Sequence, residues 1–323
     1  MIEYPDADRL MAGELGEWLD GQRTTRRLAI EKSNNRIFNI AIVLLPLLGV
    51  LWVFGFSPFD IPIFVWVVAG GLAWAWTQKP KFDAKKQVKS GINEAIAKSL
   101  GLEYCHDCEG SEAFEQSRAF HMLPSHDRSS FEDMWSGHAG PHPFLLHEAH
   151  LEERRGSGKN QRWVTVFRGA ILSIGFEERF HGTTLLAPDG HFSKFFGGAK
   201  DTIKVEGTIL DRAQMVSPEF EDRYDVYSTD QTEARWMMHP EYIERLLSME
   251  SAFGGRDSSV LFTGGTMVMA INGGDMFESG SLDHHEDGHL VSETIRQFAQ
   301  LADAALALNR IRSDQVRTPA TRL

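Results

Sequence analysis

Cysteine is nearly absent from this chain of 323 residues: only Cys105 and Cys108 occur. Two are too few to staple a secreted domain and agree with a reducing compartment. The N-terminus opens on Glu3, Asp6 and Asp8, not on a basic stretch leading into a short apolar core, so no cleavable signal peptide is expected. No Gly-x-Ser-x-Gly elbow, P-loop or dinucleotide fingerprint occurs, and the glycine pairs 197–198, 254–255, 264–265 and 273–274 read as turns. Positive charge is also scarce, with 33 Lys and Arg against 45 Asp and Glu. Residues 1–90 hold 11 basic against 9 acidic side chains, which leaves 22 against 36, a balance of −14, for the remainder. A region that acidic, without a basic stripe or an aromatic ladder, repels phosphate backbones, so nucleic acid is excluded as a partner and a basic partner or a metal ion fits better.

Two apolar runs do stand out. Residues 37–56 carry no charge over 20 positions, enough at about 1.5 Å per residue to cross roughly 30 Å of hydrocarbon. Residues 61–77 give 17 uncharged positions, ending near Trp74 and Trp76, where an interfacial aromatic belt would sit. Only residues 57–60 separate the runs, so a transmembrane helical hairpin is predicted, with Gly70 and Gly71 allowing close backbone approach. Arg23, Arg26, Arg27, Lys32 and Arg36 precede the first run, and Lys79, Lys81, Lys85, Lys86 and Lys89 follow the second, while the turn has no basic residue. By the positive-inside rule both ends lie in the cytoplasm, and the basic flanks serve as topology determinants facing the lipid bilayer. Pro46 inside the first run is tolerated in a membrane and can kink the helix.

Before the hairpin, Leu10, Met11, Leu15, Trp18 and Leu19 recur at helical spacing, which predicts a short amphipathic helix. After it, residues 83–99 read as a juxtamembrane helix with Val88, Ile92, Ile96 and Leu100 on one face. Beyond Gly101, short alternating runs broken by Gly, Asp and Pro predict mostly antiparallel β-sheet. Strands are expected at 144–152, 163–176, 183–186, 203–210 and 224–227, with a hairpin of 260–262 and 267–271 around the Gly264-Gly265 turn. Residues 232–249, capped by Asp230 and interrupted by Pro240, predict two short helices, and 286–312 a closing helix.

The paired spans, the stretches FEDMWSGHAGPHPFLLHEAHL, WVTVFRGAILSIGFEERFHGTTLLAPD and FEDRYDVYSTDQTEARWMMHPEYIERL, and the run TMVMAIN together resemble a bacterial membrane-protein family known only as domain of unknown function three-one-three-seven. The resemblance extends over most of the chain, about residues 37–308. It implies a membrane-bound protein without an assigned activity. It also implies a partner, because genes of the family lie near those of LemA-like membrane proteins. It supplies no catalytic residues, and the Cys-His-Asp-Cys run is not part of the shared pattern.

Three places concentrate metal-ligand side chains. Cys105 and Cys108 have the two-residue spacing that lets two thiolates grip one zinc ion, but no second pair lies nearby and a turn is needed for them to converge. His138, His142, His147 and His150 form a second group; the spacing of three between His147 and His150 in a strand puts them on opposite faces and excludes the zinc-protease pattern. The densest set is Asp283, His284, His285, Glu286, Asp287 and His289, just ahead of the closing helix, where carboxylates also favour the helix N-terminus. Either divalent-ion binding or a solvated cap accounts for it. The polar stretch 222–235 is expected to be a capping network with Arg235 paired to a carboxylate.

The expected organisation is a cytoplasmic amphipathic helix and basic flank (1–36), a transmembrane hairpin (37–77), a juxtamembrane helix (78–100), an α+β domain of mostly antiparallel sheet with flanking helices (101–312) and a disordered tail (313–323). The expected location is the inner (plasma) membrane, multi-pass, with cytoplasmic termini. The features favour a non-enzymatic interaction or scaffolding protein with a docking domain and no cofactor. The alternative is a membrane-tethered enzyme or sensor holding a divalent metal at Asp283, His284, His285 and His289. A channel would require a homo-oligomer, since two spans without buried charge offer no pathway.

Overall fold

The computed structural model describes residues 4–53, 62–176, 179–193, 198–215, 218–252 and 258–317. The chain divides into two compact units: Met1–Tyr4, Ile96–Phe277 and Ile295–Leu323 form one, and Pro5–Ala95 with Glu278–Thr294 the other.

The first unit is α+β, as predicted. Its strands are β1 (Leu102–Asp107), β2 (Arg128–Ala139), β3 (His142–Arg155), β4 (Arg162–Gly175), β5 (Thr184–Pro188), β6 (Thr202–Val205), β7 (Thr208–Ala213), β8 (Tyr224–Ser228), β9 (Ser259–Thr263) and β10 (Thr266–Ile271). They form one ten-stranded sheet in the order β1-β2-β3-β4-β10-β9-β5-β8-β7-β6, with every pairing antiparallel. Alternation along β3 and β4 sends Ala149, Leu151, Phe167 and Ile171 into a core shared with Leu185, Leu261, Val268 and Tyr227 and covered by Phe114 of α4 (Glu112–Ala119). On the opposite face Trp135 and Phe144 pack against Phe298 of α8 (Asp287–Arg317), and Trp135 also meets Phe277.

The β9–β10 hairpin turns at Gly264, whose φ is 60°, as the adjacent glycines predict. The single strand expected over 203–210 is instead the β6–β7 hairpin. Glu206 and Gly207 both have positive φ, 46° and 76°, the conformation of a type I′ turn, and the alternating pattern on either side concealed the break. Strands β1 and β2 are absent from the sequence expectation: β1 alternates but is only six residues long, and β2 carries charged and half-buried side chains without clear alternation. Pro240 separates α6 (Gln231–Met237) from α7 (Pro240–Ala252), and Asp230 caps α6 by accepting from the N–H groups of Thr232 and Glu233 at 2.9 and 3.0 Å. Arg235 donates to Gln231 Oε1 and the Gln214 carbonyl, not to a carboxylate; the buried carboxylate of that region, Asp225, pairs with Arg212 at 2.7 Å.

In the second unit, α1 (Ala7–Met11) is followed by α2 (Glu14–Val53), which runs without interruption from the amphipathic stretch into the first apolar run and includes Pro46. Helix α3 (Ile63–Ser99) likewise joins the second apolar run to the juxtamembrane segment; the connection 54–61 lies outside the described residues. Trp18 near the start of α2 meets Gly91 late in α3, and Arg36 further along α2 meets Trp76 earlier in α3, so the helices pack antiparallel. Gly91 is required, because a Cβ there would overlap the Trp18 indole. The closing helix α8 starts at Asp287 and extends to Arg317, beyond the end at 312 predicted from the sequence; residues 318–323 of the expected tail lie outside the described residues.

Candidate functional site

Strands pleat so that consecutive residues face opposite sides, and two neighbouring carboxylates on one strand therefore diverge. Strand β2 breaks this rule. Its pairing with β3 shifts between Glu132 and Trp135, so Asp133 and Met134 together stand opposite His147, and Asp133 adopts φ 54°. This β-bulge re-aims Asp133 toward β1, as bulges do where a side chain must be redirected. On β1, Tyr104 and His106 share one face. The Tyr104 hydroxyl donates to Asp133 Oδ1 at 2.5 Å, and His106 Nδ1 lies 2.9 Å from the same oxygen. The Asp133 side chain is fully buried and that of His106 largely so, at 15% exposure.

Glu132 stands beside this group and directly opposite the buried Glu148 of β3. Arg168 of β4 lies 4.0 Å from Glu132 and 2.5 Å from Asp275, just past β10. Four strands thus assemble an acidic constellation with one imidazole and one guanidinium. Sequence reading missed it because its members lie far apart in the chain and only strand pairing brings them together.

The cysteines lie at the edge of the same group. Cys105 is exposed on β1, where its thiol donates to the Asp107 carbonyl, and Cys108 is half-buried just beyond the strand. Burial first, then the negative potential of Cys105, Asp133 and Glu132, pushes the Cys108 thiol up to about 11, so it stays protonated at neutral pH and is a poor nucleophile.

His147 and His150 fall on opposite faces of β3, as their spacing predicts. His147 is completely buried, bonded to Ser111 Oγ at 2.7 Å and to the Glu148 carbonyl at 3.2 Å, and desolvation holds it down at about 4. Ser111 also accepts from the Phe114 N–H as the cap of α4, which makes the Ser111–His147 contact part of a helix cap. His150 bonds Thr165 Oγ1 at 2.8 Å across the sheet.

The sequence-dense set at 283–289 lies in the second unit and is divided among several tasks. Asp283 accepts from the His285 N–H, capping the 3₁₀ turn His284–Glu286. Glu286 accepts from Ser281 Oγ, and Asp287 is held by Arg26 in a bidentate pair at 2.8 and 3.0 Å, with both side chains buried. Arg26, expected to be one of the basic topology determinants flanking the first apolar run, is therefore committed inside the helical unit. Lys89 of the other flank is similarly buried and paired with Glu278. Asp283, His284 and His285 keep their donor atoms within 4.8 Å of one another, and His289 is exposed on the first turn of α8.

Residues 165–310 match the family model described as a protein of unknown function, DUF3137, so the resemblance drawn from the sequence is borne out over that stretch. The match runs from within β4 into α8, including Arg168 and Asp275 but not His106, Glu132, Asp133 or Glu148. No curated protein matches. Among solved structures the chain is similar to the mycobacterial trehalose monomycolate transport factor A, TtfA, at 10% identity and a TM-score of 0.35, over 74% of this chain and 98% of that one. That likeness is too weak to inform function.

Proposed function

We propose that the protein is a membrane-anchored interaction protein, in which α2 and α3 form a two-pass hairpin in the inner membrane, both chain ends are cytoplasmic, and the acidic sheet domain is a docking module and not an enzyme. The observation that carries this reading is where apolar side chains are exposed. Among the described residues, every exposed large apolar side chain except Leu28, Phe82, Trp163, Ile209 and Trp236 lies between Ile37 and Trp76. An apolar patch of that extent marks a membrane or a protein interface. One described helix segment, Glu14–Val50, is long and apolar enough to cross a membrane.

The level of the aromatic belt supports the second crossing. Arg36 stacks its guanidinium 4.4 Å from the Trp76 ring and donates to the Trp76 carbonyl. The apolar stretch begins on α2 and ends on α3 at this same contact, so the two helices would leave the hydrocarbon together. Basic side chains follow on both helices below it, which supports cytoplasmic ends. The docking role rests on the acidic balance of the domain. The alternative reading keeps Asp283, His284 and His285 as a divalent-ion site, with their donor atoms within 4.8 Å of one another, while the neighbouring Asp287 and Glu286 are held by Arg26 and Ser281.

Crosslinking in native membranes, followed by affinity purification and mass spectrometry, tests the reading. A partner held by the intact chain and lost from a chain truncated after residue 99 is the result expected, with a LemA-like protein the first candidate. Equal recovery from both chains, or no partner from either, contradicts the docking role.

A further inference from the structure

Among the described residues, three groups bring ligand-type atoms within 4.8 Å of one another: Asp283, His284 and His285; Glu132, Glu148 and Asp275; and His106, Glu132 and Asp133. Their surroundings separate them. The first is a helix cap whose Asp283 is exposed and already engaged by a backbone N–H. The second contains no imidazole, and its Asp275 is bonded by Arg168 at 2.5 Å. The third combines an imidazole with two carboxylates on adjacent strands, and its convergence depends on the bulge that turns Asp133 out of the pleat.

We propose that His106, Glu132 and Asp133 bind one divalent transition ion of borderline softness, such as Zn²⁺, through one nitrogen and two carboxylate oxygens. The donor atoms of the three side chains lie within 4.8 Å of one another, and a bound ion would replace the 2.9 Å contact between His106 Nδ1 and Asp133 Oδ1. Two carboxylates balance the charge of a dication, and the imidazole selects against Mg²⁺ and Ca²⁺, which favour oxygen ligands throughout. Tyr104 occupies the outer position that tunes a metal ligand, donating to Asp133 and fixing its orientation. Burial grades from Asp133, fully enclosed, through His106 to the half-exposed Glu132, which makes Glu132 the mouth through which an ion enters. Three protein ligands leave coordination positions open, so the bound ion would be able to take a small anionic ligand.

The test uses the full chain in detergent, stripped with a chelator and titrated calorimetrically with Zn²⁺ and, separately, Mg²⁺. One Zn²⁺ per chain and no saturable Mg²⁺ binding are expected. His106→Ala and Glu132→Gln should each weaken Zn²⁺ by more than the roughly tenfold that loss of an outer-shell partner costs. Glu132→Gln leaves the buried His106–Asp133 contact in place, so a folding defect in the His106 variant does not blunt the test. A variant with Cys105→Ser and Cys108→Ser, and a second with Asp283→Asn, His284→Ala and His285→Ala, should bind as the parent does. Absence of saturable Zn²⁺ binding by the parent, unchanged binding by both His106→Ala and Glu132→Gln, or loss of binding in the cysteine or 283–285 variants overturns the assignment.

Discussion

Helix α2 is built in two opposite ways along one continuous rod. Over residues 14–36, Leu15, Leu19 and Ala29 are buried, and the two polar groups turned inward, Arg26 and Ser33, sit among them while most charges face out. Over residues 37–53 the order inverts: Phe38, Val43, Leu45 and Val53 are each more than 60% exposed and no charge occurs. Helix α3 mirrors this, with Ile63, Phe64, Val67 and Leu72 exposed and Val88 and Ile92 fully buried. Both halves are α-helical, and on the membrane reading proposed above the difference lies in the solvent each half is built to meet. In water, burial of apolar surface drives packing; between lipid tails that drive vanishes, and the apolar side chains can face outward at no cost.

The comparison breaks first at Arg26. Removing its charge by Arg26→Met strands Asp287 in a buried position and should cost roughly 3–5 kcal/mol of stability, seen as a lower thermal or denaturant midpoint. The double variant Arg26→Met with Asp287→Leu should recover most of that loss, because the isolated charge is what destabilises. In the apolar half the sign of the rule reverses. Val43→Asp changes an exposed side chain, which in water would be nearly neutral, yet in a bilayer it should oppose insertion by roughly 3 kcal/mol and shift the protein from the membrane pellet to the supernatant. An unchanged pellet fraction would place that half of α2 outside the hydrocarbon. The smallest effect tests the packing of the water-facing half: Gly91→Ala should cost about 1–3 kcal/mol by overlap with Trp18, and Trp18→Leu in the same chain should relieve part of it.

Much of this was legible in the sequence because it depends on short periods. The apolar runs, the Gly264-Gly265 hairpin, the Pro240 break and the Asp230 cap each declare themselves within a few residues. Contacts between distant segments do not. Arg26 looks like any basic residue beside an apolar run until Asp287, from the far end of the chain, is placed against it. The cluster 283–289 reads as one ligand set in the sequence, whereas folding keeps Asp283, His284 and His285 together and sends Asp287 to Arg26 and Glu286 to Ser281. Conversely, His106, Glu132 and Asp133 are brought together by strand pairing and by a bulge with a non-glycine residue at positive φ, for which local sequence gives little signal.

The most direct test of the central claim is labelling of single cysteines in intact cells with a membrane-impermeant maleimide, in a background lacking Cys105 and Cys108. A cysteine replacing Ser57 should react from outside without permeabilisation, while one replacing Leu323 should react only after the membrane is opened. Protection of position 57 in intact cells, or labelling of position 323 from outside, would contradict a two-pass hairpin with cytoplasmic ends.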